Sequence, residues 1–206
     1  MGCSGFVGRA LVPQLLATGH QLVLLSRSSA PLAAVQSPQL QRLQADPAQA
    51  ATWQLPAVQE ALASSEAVIN LAGEPIAEKR WSDAHRALLS SSRIHTTRAL
   101  VAAMQALPEG QRPQTLISGS AIGYYGTSET GRFSQTSAAG SDFLAGLCQA
   151  WEKEAEAASG FARVVILRIG IVLGADGGAL GKMLPVFRMG FGGPIGNGQQ
   201  WMSWIA

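Results

Sequence analysis

Two kinds of apolar pattern alternate along the 206-residue chain. Short, continuously apolar runs are typical of strands that are covered on both faces of a parallel sheet. They predict strands over residues 21–27, 66–74, 114–118 and 163–170, the last strand before a glycine-rich end. The mixed apolar and polar segment over residues 40–45 is a further, short strand candidate. Apolar residues at helical spacing predict helices over residues 6–18, 82–107 and 141–159, and a helical segment over residues 48–65 that Pro56 interrupts. This alternation, without an internal repeat, predicts an α/β fold with a doubly wound parallel sheet.

Three glycines precede the first predicted helix with the spacing G-x-x-G-x-x-G, at Gly2, Gly5 and Gly8. Glycines at this spacing permit a tight turn, a close approach of the backbone to a pyrophosphate, and close packing of the helix on the sheet. The helix start would offer N–H groups and a positive dipole end to phosphates. The pattern indicates a dinucleotide site, and a glycine-rich turn without a ligand is the simpler alternative.

The end of the next strand bears on the choice of cofactor. Sites that prefer NAD place an acidic residue there, whereas an arginine accommodates the 2′-phosphate of NADP. This chain has Ser26 and Arg27 at that point and no acid nearby. A guanidinium pairs well with a phosphate, so we predict NADP(H), with a solvated arginine as the alternative. Asp46, before Pro47, either faces the adenine end of the dinucleotide or caps the following helix.

Hydroxyl groups follow the strand predicted over residues 114–118. Ser120, Tyr124 and Tyr125 lie in the segment after it. Ligands of open α/β sheets bind at the carboxyl ends of the strands. These three side chains are therefore candidates to hydrogen-bond a carbonyl or hydroxyl oxygen of a substrate.

Composition narrows the classes of protein further. With 47% hydrophobic and 14% charged residues, the chain has the composition of a globular protein. A net charge of +2 does not predict nucleic acid as a partner, and no apolar run is long enough to span a membrane. The two cysteines and three histidines do not cluster, so no metal site is expected. We expect a reducing compartment, the cytoplasm or the plastid stroma, and the oligomeric state stays open, a homodimer included.

Taken together, several motifs resemble the atypical and extended short-chain dehydrogenase/reductases, in particular the SDR39U1-type epimerase family. The motifs are the loop over residues 2–8, Ser26-Arg27, the segment over residues 70–74, Arg80-Trp81, residues 92–94, 118–126, 142–144, Trp151-Glu152, 168–174 and 192–205. The resemblance implies a Rossmann-like NADP-binding domain over residues 1–174 and the start of a substrate-side region over residues 175–206. It also implies a set of cofactor contacts: Gly2, Ser4, Gly5, Phe6, Val7, Gly8, Ser26, Arg27, Leu71, Ala72, Gly73 and Arg93. From spacing alone, Arg93 would be an exposed arginine.

Two departures from that family follow. Its members begin with a strand before the glycine loop and continue past the segment that ends here. We therefore expect a piece of a longer protein whose first strand and substrate region are incomplete. Active short-chain reductases also use a tyrosine and a lysine spaced Y-x-x-x-K. Here Phe143 with Leu147, or Leu144 with Cys148, stands in place of that pair.

Two functions fit these residues. The first is an NADP(H)-dependent oxidoreductase or epimerase-like enzyme for a small carbonyl or hydroxyl compound. In it Ser120 polarises the substrate oxygen, and Tyr124 or Tyr125 donates a proton. The second is a nucleotide-binding protein with little or no catalysis and a regulatory role, for example in cell or plastid division. A third interpretation is that this piece has no activity on its own.

Overall fold

The computed structural model describes residues 1–28, 35–175, 177–194 and 196–206. Its α-helices are α1 (Phe6–Ala17), α2 (Pro56–Ala63), α3 (Asp83–Ala106), α4 (Phe143–Glu156) and α5 (Gly178–Arg188). Its strands are β1 (Leu22–Ser26), β2 (Leu40–Gln44), β3 (Ala67–Asn70), β4 (Thr115–Ala121), β5 (Arg163–Ile169), β6 (Ile171–Gly174) and β7 (Trp204–Ile205). Short 3₁₀ turns span Ala50–Gln54, Glu109–Gln111 and Ile122–Tyr125.

The strands form parallel sheets with helices between them. In the part of the chain that the structure describes, β1 pairs with β2, and β3, β4 and β5 follow one another in a second sheet. The register pairs Leu22 with Leu40 in the first sheet and Ala67 with Thr115 in the second. Because parallel neighbours need crossover connections, this arrangement is that of an α/β protein. The predicted fold class is confirmed.

A groove separates β1 from β3, and Met1 lies at its end. Val23 and Leu25 of β1 line one side, and Val68 and Ile69 of β3 line the other. The amino group of Met1 donates to the carbonyl oxygen of Ile69 at 2.6 Å. The carbonyl oxygen of Met1 accepts from the backbone N–H of Leu71 at 3.1 Å. Met1 therefore runs beside β3 and delivers the glycine turn to the carboxyl end of that strand.

The main hydrophobic core is built by α2, α3, the C-terminal part of α4 and the strands they cover. Its buried members are Leu25, Trp53, Val58, Leu62, Leu100, Val101, Met104, Leu116, Ala155 and Ala158. A smaller cluster of Cys3, Val12 and Leu24 packs α1 on β1. Close packing of these side chains fixes the strand ends that carry the candidate site.

One expectation about the elements is confirmed and another is wrong. The helical segment predicted over residues 48–65, with Pro56 interrupting it, is divided into a 3₁₀ turn and α2, which begins at Pro56. Proline has no N–H to donate, so it fits the first position of a helix and interrupts a longer one. The expectation that the strand over residues 163–170 is the last strand is wrong, because β6 and β7 follow it. These elements are short, and glycines interrupt their apolar pattern.

The chain divides into two compact units. The first unit comprises Met1–Gly119 with Gln149–Leu167, and the second comprises Ser120–Cys148 with Arg168–Ala206. The functional boundary at residue 174 stays a prediction. None of the helices in the described ranges combines the length and the apolar character needed to cross a membrane.

Candidate functional site

The glycine turn is set by backbone contacts. Gly2 has a φ of +75°, and a Cβ on it would lie 2.3 Å from the carbonyl carbon of Leu71. A Cβ on Gly8 would lie 2.4 Å from the carbonyl oxygen of Gly2. The N–H of Gly5 donates to that same oxygen at 3.1 Å. Gly2 and Gly8 are therefore needed for the turn itself, for the approach to β3 and for the packing of α1.

Helix α1 begins at Phe6, directly after this turn, with Gly5 as its N-cap residue. Within the described ranges, no side chain caps its first N–H groups, and its first turn has no acidic residue. Ser4 and Gly5 are exposed, whereas Phe6 and Val7 are half-buried. Uncapped N–H groups and the positive helix end suit a phosphate. The turn therefore has the chemistry that the pyrophosphate of a dinucleotide requires.

A second turn follows β3 and touches the first. A Cβ on Gly2 would also lie 2.7 Å from the backbone nitrogen of Ala72, so Leu71 and Ala72 lie against the glycine turn. Asn70 shapes this second turn from within the core, because its Oδ1 accepts from the N–H of Ala72 at 3.2 Å. The structure thus brings together the predicted cofactor residues Gly2, Leu71 and Ala72.

Asn70 belongs to a buried network that joins β3, α3 and α4. Its Nδ2 donates to Oγ1 of Thr97 at 2.9 Å, and Nε1 of Trp151 donates to the same oxygen at 2.9 Å. Asn70 and Thr97 have no exposed surface. Leaving a buried donor without an acceptor costs about 1–3 kcal/mol, so each partner fixes the others. The network holds the end of β3 where the turn begins.

Arg93 is buried, which makes the expectation of an exposed arginine wrong. It is 9% exposed, its Nη2 donates to the carbonyl oxygen of Glu74 at 2.9 Å, and its Nη1 donates to that of Leu89 at 3.1 Å. Its Cζ lies 5.3 Å from the ring centroid of Trp151 and 3.0 Å from where a Cβ on Gly73 would be. Arg93 thus lies against the turn after β3. Its contact with a cofactor stays a prediction.

Ser26 and Arg27 end β1, as predicted. The Oγ of Ser26 donates to the carbonyl oxygen of Ser28 at 2.6 Å, and the side chain of Arg27 is exposed. The position suits selection of a 2′-phosphate by Arg27, and the solvated alternative also stays open. Asp46 forms a local turn, because its Oδ1 accepts from the N–H of Ala48 at 3.0 Å, whereas the N-cap residue of the following 3₁₀ turn is Gln49.

The candidate catalytic residues belong to the second unit. Ser120 is 4% exposed, whereas Tyr124 and Tyr125 are half-buried in a 3₁₀ turn. The hydroxyl of Tyr125 accepts from Nη1 of Arg168 at 2.9 Å. The structure brings the two tyrosines together with an arginine that was not among the predicted site residues. Within the described residues, no group of histidine, cysteine and acidic side chains could hold a metal ion.

Sequence reasoning missed Asn70, Thr97, Trp151 and Arg168 as determinants of the site. Asn70, Trp151 and Arg168 stood in motifs of the family resemblance, but no pattern showed which polar groups they would meet. Partners such as Asn70 and Thr97 are far apart in the chain and meet only in the fold.

Comparison with known proteins shows the family to which the chain belongs. Residues 1–206 match the NAD dependent epimerase/dehydratase family. The chain therefore belongs to this family of Rossmann-like proteins. Within it, the SDR39U1-type resemblance is confirmed by a protein of Arabidopsis thaliana, "Epimerase family protein SDR39U1 homolog, chloroplastic". The chain is 42% identical to it over 208 residues, which are 99% of this chain and 57% of that protein.

The human SDR39U1 protein is also similar to this chain, both in sequence and in structure. The chain is 36% identical to the Homo sapiens "Epimerase family protein SDR39U1", across 99% of this chain and 64% of that protein. The crystal structure of human SDR39U1 isoform 2 with NADPH superimposes with a TM-score of 0.77 at 33% identity. That match covers 99% of this chain and 63% of the human one. The chain thus spans about three fifths of the length of these relatives.

Proposed function

We propose that this chain is the nucleotide-binding part of an NADP(H)-dependent oxidoreductase or epimerase-like enzyme that acts on a small carbonyl or hydroxyl compound. The carrying observation is the pair of touching turns at Gly2 and Leu71, with the uncapped start of α1 beside them. The human relative is described as a structure with NADPH. The turns, the helix start and Arg27 fit that cofactor, because they offer N–H groups and a guanidinium to phosphates.

In this proposal, different residues bind different parts of NADP(H). The N–H groups at the start of α1 would bind the pyrophosphate, and Arg27 with Ser26 would bind the 2′-phosphate. The turn over residues 71–73, backed by Arg93, would contact the nucleotide. When bound, the cofactor supplies or accepts a hydride at the reacting carbon of the substrate.

The second unit supplies the proton. In the direction of reduction, Ser120 donates a hydrogen bond to the carbonyl oxygen. The phenol O–H of Tyr125 breaks, its proton forms the new O–H of the alcohol, and water returns a proton to the phenolate. Tyr124 packs against Tyr125 in a T-shaped pair, with ring centroids 5.3 Å apart. Proton donation by a positioned side chain contributes a factor of about 10²–10⁴ in rate.

NADPH oxidation in the presence of small aldehydes and 1,2-dicarbonyl compounds tests this proposal. We expect turnover with a subset of the panel and a kcat at least tenfold lower for Tyr125→Phe, with Kd for NADPH unchanged. Tyr124→Phe is the matched control, and its kcat should fall less. Full turnover in Tyr125→Phe would contradict the assignment of the proton donor.

A second function rests on a different observation. At the start of α4, Phe143 and Leu144 stand where the Y-x-x-x-K pattern would place a tyrosine, and Leu147 and Cys148 stand in place of its lysine. A protein that binds NADPH and regulates a partner, for example in cell or plastid division, needs no such pair. Tight NADPH binding without turnover of any compound in the panel would favour this role.

A further inference from the structure

Arg168 contacts both tyrosines of the second unit. It lies near the end of β5 and is half-buried. Its Nη1 donates to the hydroxyl of Tyr125 at 2.9 Å and to the carbonyl oxygen of Gln135 at 3.1 Å. Its Cζ lies 3.5 Å from the ring centroid of Tyr124 and 5.2 Å from that of Tyr125. The guanidinium of Arg168 therefore binds the hydroxyl of Tyr125 and packs on the ring of Tyr124 at the same time.

Other contacts restrict the ring of Tyr125. Phe133 stacks on it with centroids 5.3 Å apart and an interplanar angle of 14°. Tyr124 meets it edge to face at 80°. Aromatic pairs and cation–π contacts each contribute about 0.5–1.5 kcal/mol, so together they favour one orientation of the phenol.

The hydrogen bond from Arg168 also decides which way the proton of Tyr125 points. A guanidinium has donors only, so the phenol oxygen must accept from it. The O–H of Tyr125 is then directed away from Arg168 and stays available for another acceptor. A fixed positive charge at this distance also attracts the phenolate that remains after the proton has left.

We propose that Arg168 is the positioning residue for Tyr125 and takes the part that a lysine has in the Y-x-x-x-K pattern. It holds the phenol oxygen so that the proton faces the substrate, and it stabilises the phenolate during the transfer described above. The inference rests on the proposed function, because it assumes that Tyr125 is the proton donor.

The chain offers a direct probe, since Tyr124 and Tyr125 are its only two tyrosines. NMR spectra of the chain with ¹³C-labelled tyrosine rings contain signals from these two side chains alone. We expect Arg168→Met to shift the ring signals of both. Arg163→Met is the matched control, because Arg163 lies on β5 with an exposed side chain, and it should shift neither. Unchanged signals in Arg168→Met, or in Arg168→Gln if the first variant does not fold, would overturn the contact.

Measurements of kcat then distinguish a role of Arg168 in positioning Tyr125 from a purely structural role. In the NADPH oxidation assay we expect Arg168→Met to lower kcat roughly 10- to 100-fold with Kd for NADPH unchanged, and Arg168→Lys to recover part of the loss. Because Arg168 acts through Tyr125, the double variant Tyr125→Phe with Arg168→Met should be no slower than Tyr125→Phe alone. An additive loss in the double variant would overturn the inference.

The two proposals fail in different ways. If Tyr125→Phe keeps full turnover, or no compound is reduced by the parent chain, the proposed function fails and the inference fails with it. If Tyr125→Phe is slow but Arg168→Met is as fast as the parent chain, only the role of Arg168 is wrong.

Discussion

The turns of the first unit and the tyrosine pair of the second unit are held by different forces. Around Gly2 and Leu71, backbone atoms lie so close that a single added carbon does not fit. Behind them, the side chains of Asn70 and Thr97 have no exposed surface and share hydrogen bonds. Tyr125 instead rests on half-buried and exposed neighbours, with Phe133 47% exposed.

The difference indicates that the turns of the first unit are held more rigidly than the tyrosine pair of the second unit. Buried polar networks are costly to break, whereas exposed aromatic and charged contacts each contribute little. Substitutions in the two regions should therefore differ in their cost to stability.

Gly2→Ala tests the most constrained position and should have the largest effect. The new Cβ overlaps the backbone of Leu71, and the φ of +75° is unfavourable for alanine. We expect the free energy of unfolding in urea to fall by about 3 kcal/mol. Gly146→Ala is the control, since nothing lies within 4 Å of its Cβ, and it should leave stability unchanged or raise it. Equal stability of Gly2→Ala and the parent chain would refute the close approach.

Thr97→Val removes the shared acceptor of the buried network. The donors of Asn70 and Trp151 then lose the oxygen they have in common. We expect a loss of about 2 kcal/mol in thermal or urea unfolding, because buried donors without acceptors are costly. Thr96→Val changes a neighbouring buried threonine outside this network and should cost less. A larger loss of stability in Thr96→Val than in Thr97→Val would argue against the network.

Phe133→Ala tests how much a contact in the second unit contributes to the free energy of unfolding. It removes the ring that stacks on Tyr125, and the expected loss of stability is about 1 kcal/mol. Phe191 is 79% exposed, so Phe191→Ala should change the unfolding midpoint very little. A loss in Phe133→Ala as large as that in Gly2→Ala would remove the contrast between the regions.

We expect the smallest change in stability when the surface ion pair between Arg98 and Glu154 is removed. Arg98 donates to both carboxylate oxygens of Glu154, and this hydrogen bonding holds the pKa of Glu154 below its ordinary value. The stability it contributes is present above the ordinary glutamate pKa and is lost as the pH falls through the lowered value. Glu154→Gln should cost at most about 0.5 kcal/mol at neutral pH and flatten this acid dependence. Glu156→Gln, an exposed neighbour on α4, should keep the parent profile.

Local pattern was sufficient for much of the fold. Continuous apolar runs indicated β1, β3 and β5 within a few residues of their ends. The helix predicted over residues 82–107 is α3, and Ser82 is its N-cap residue. Pattern failed beyond residue 174, where short elements such as β7 bury too few side chains to leave a periodic signal.

The site was predictable where it depends on the backbone and less so where it depends on contacts between distant residues. The spacing of Gly2 and Gly8 reports a turn directly, because only glycine fits there. Spacing could not reveal that Arg93 is buried beside Trp151, since their contact joins residues of α3 and α4. The same limit applies to Arg168 and Tyr125, which are 43 residues apart.

The most direct test of NADP(H) binding is a fluorescence titration of the chain with NADPH and with NADH, repeated on Arg27→Ala and on the control Arg163→Ala. We expect the chain to bind NADPH more tightly than NADH. Arg27→Ala should raise the Kd for NADPH about tenfold and leave the Kd for NADH unchanged, since a charged hydrogen bond is lost. Arg163→Ala should change neither. Failure of the parent chain to bind either nucleotide would contradict the account, and an equal loss of both in Arg27→Ala would contradict selection of the 2′-phosphate.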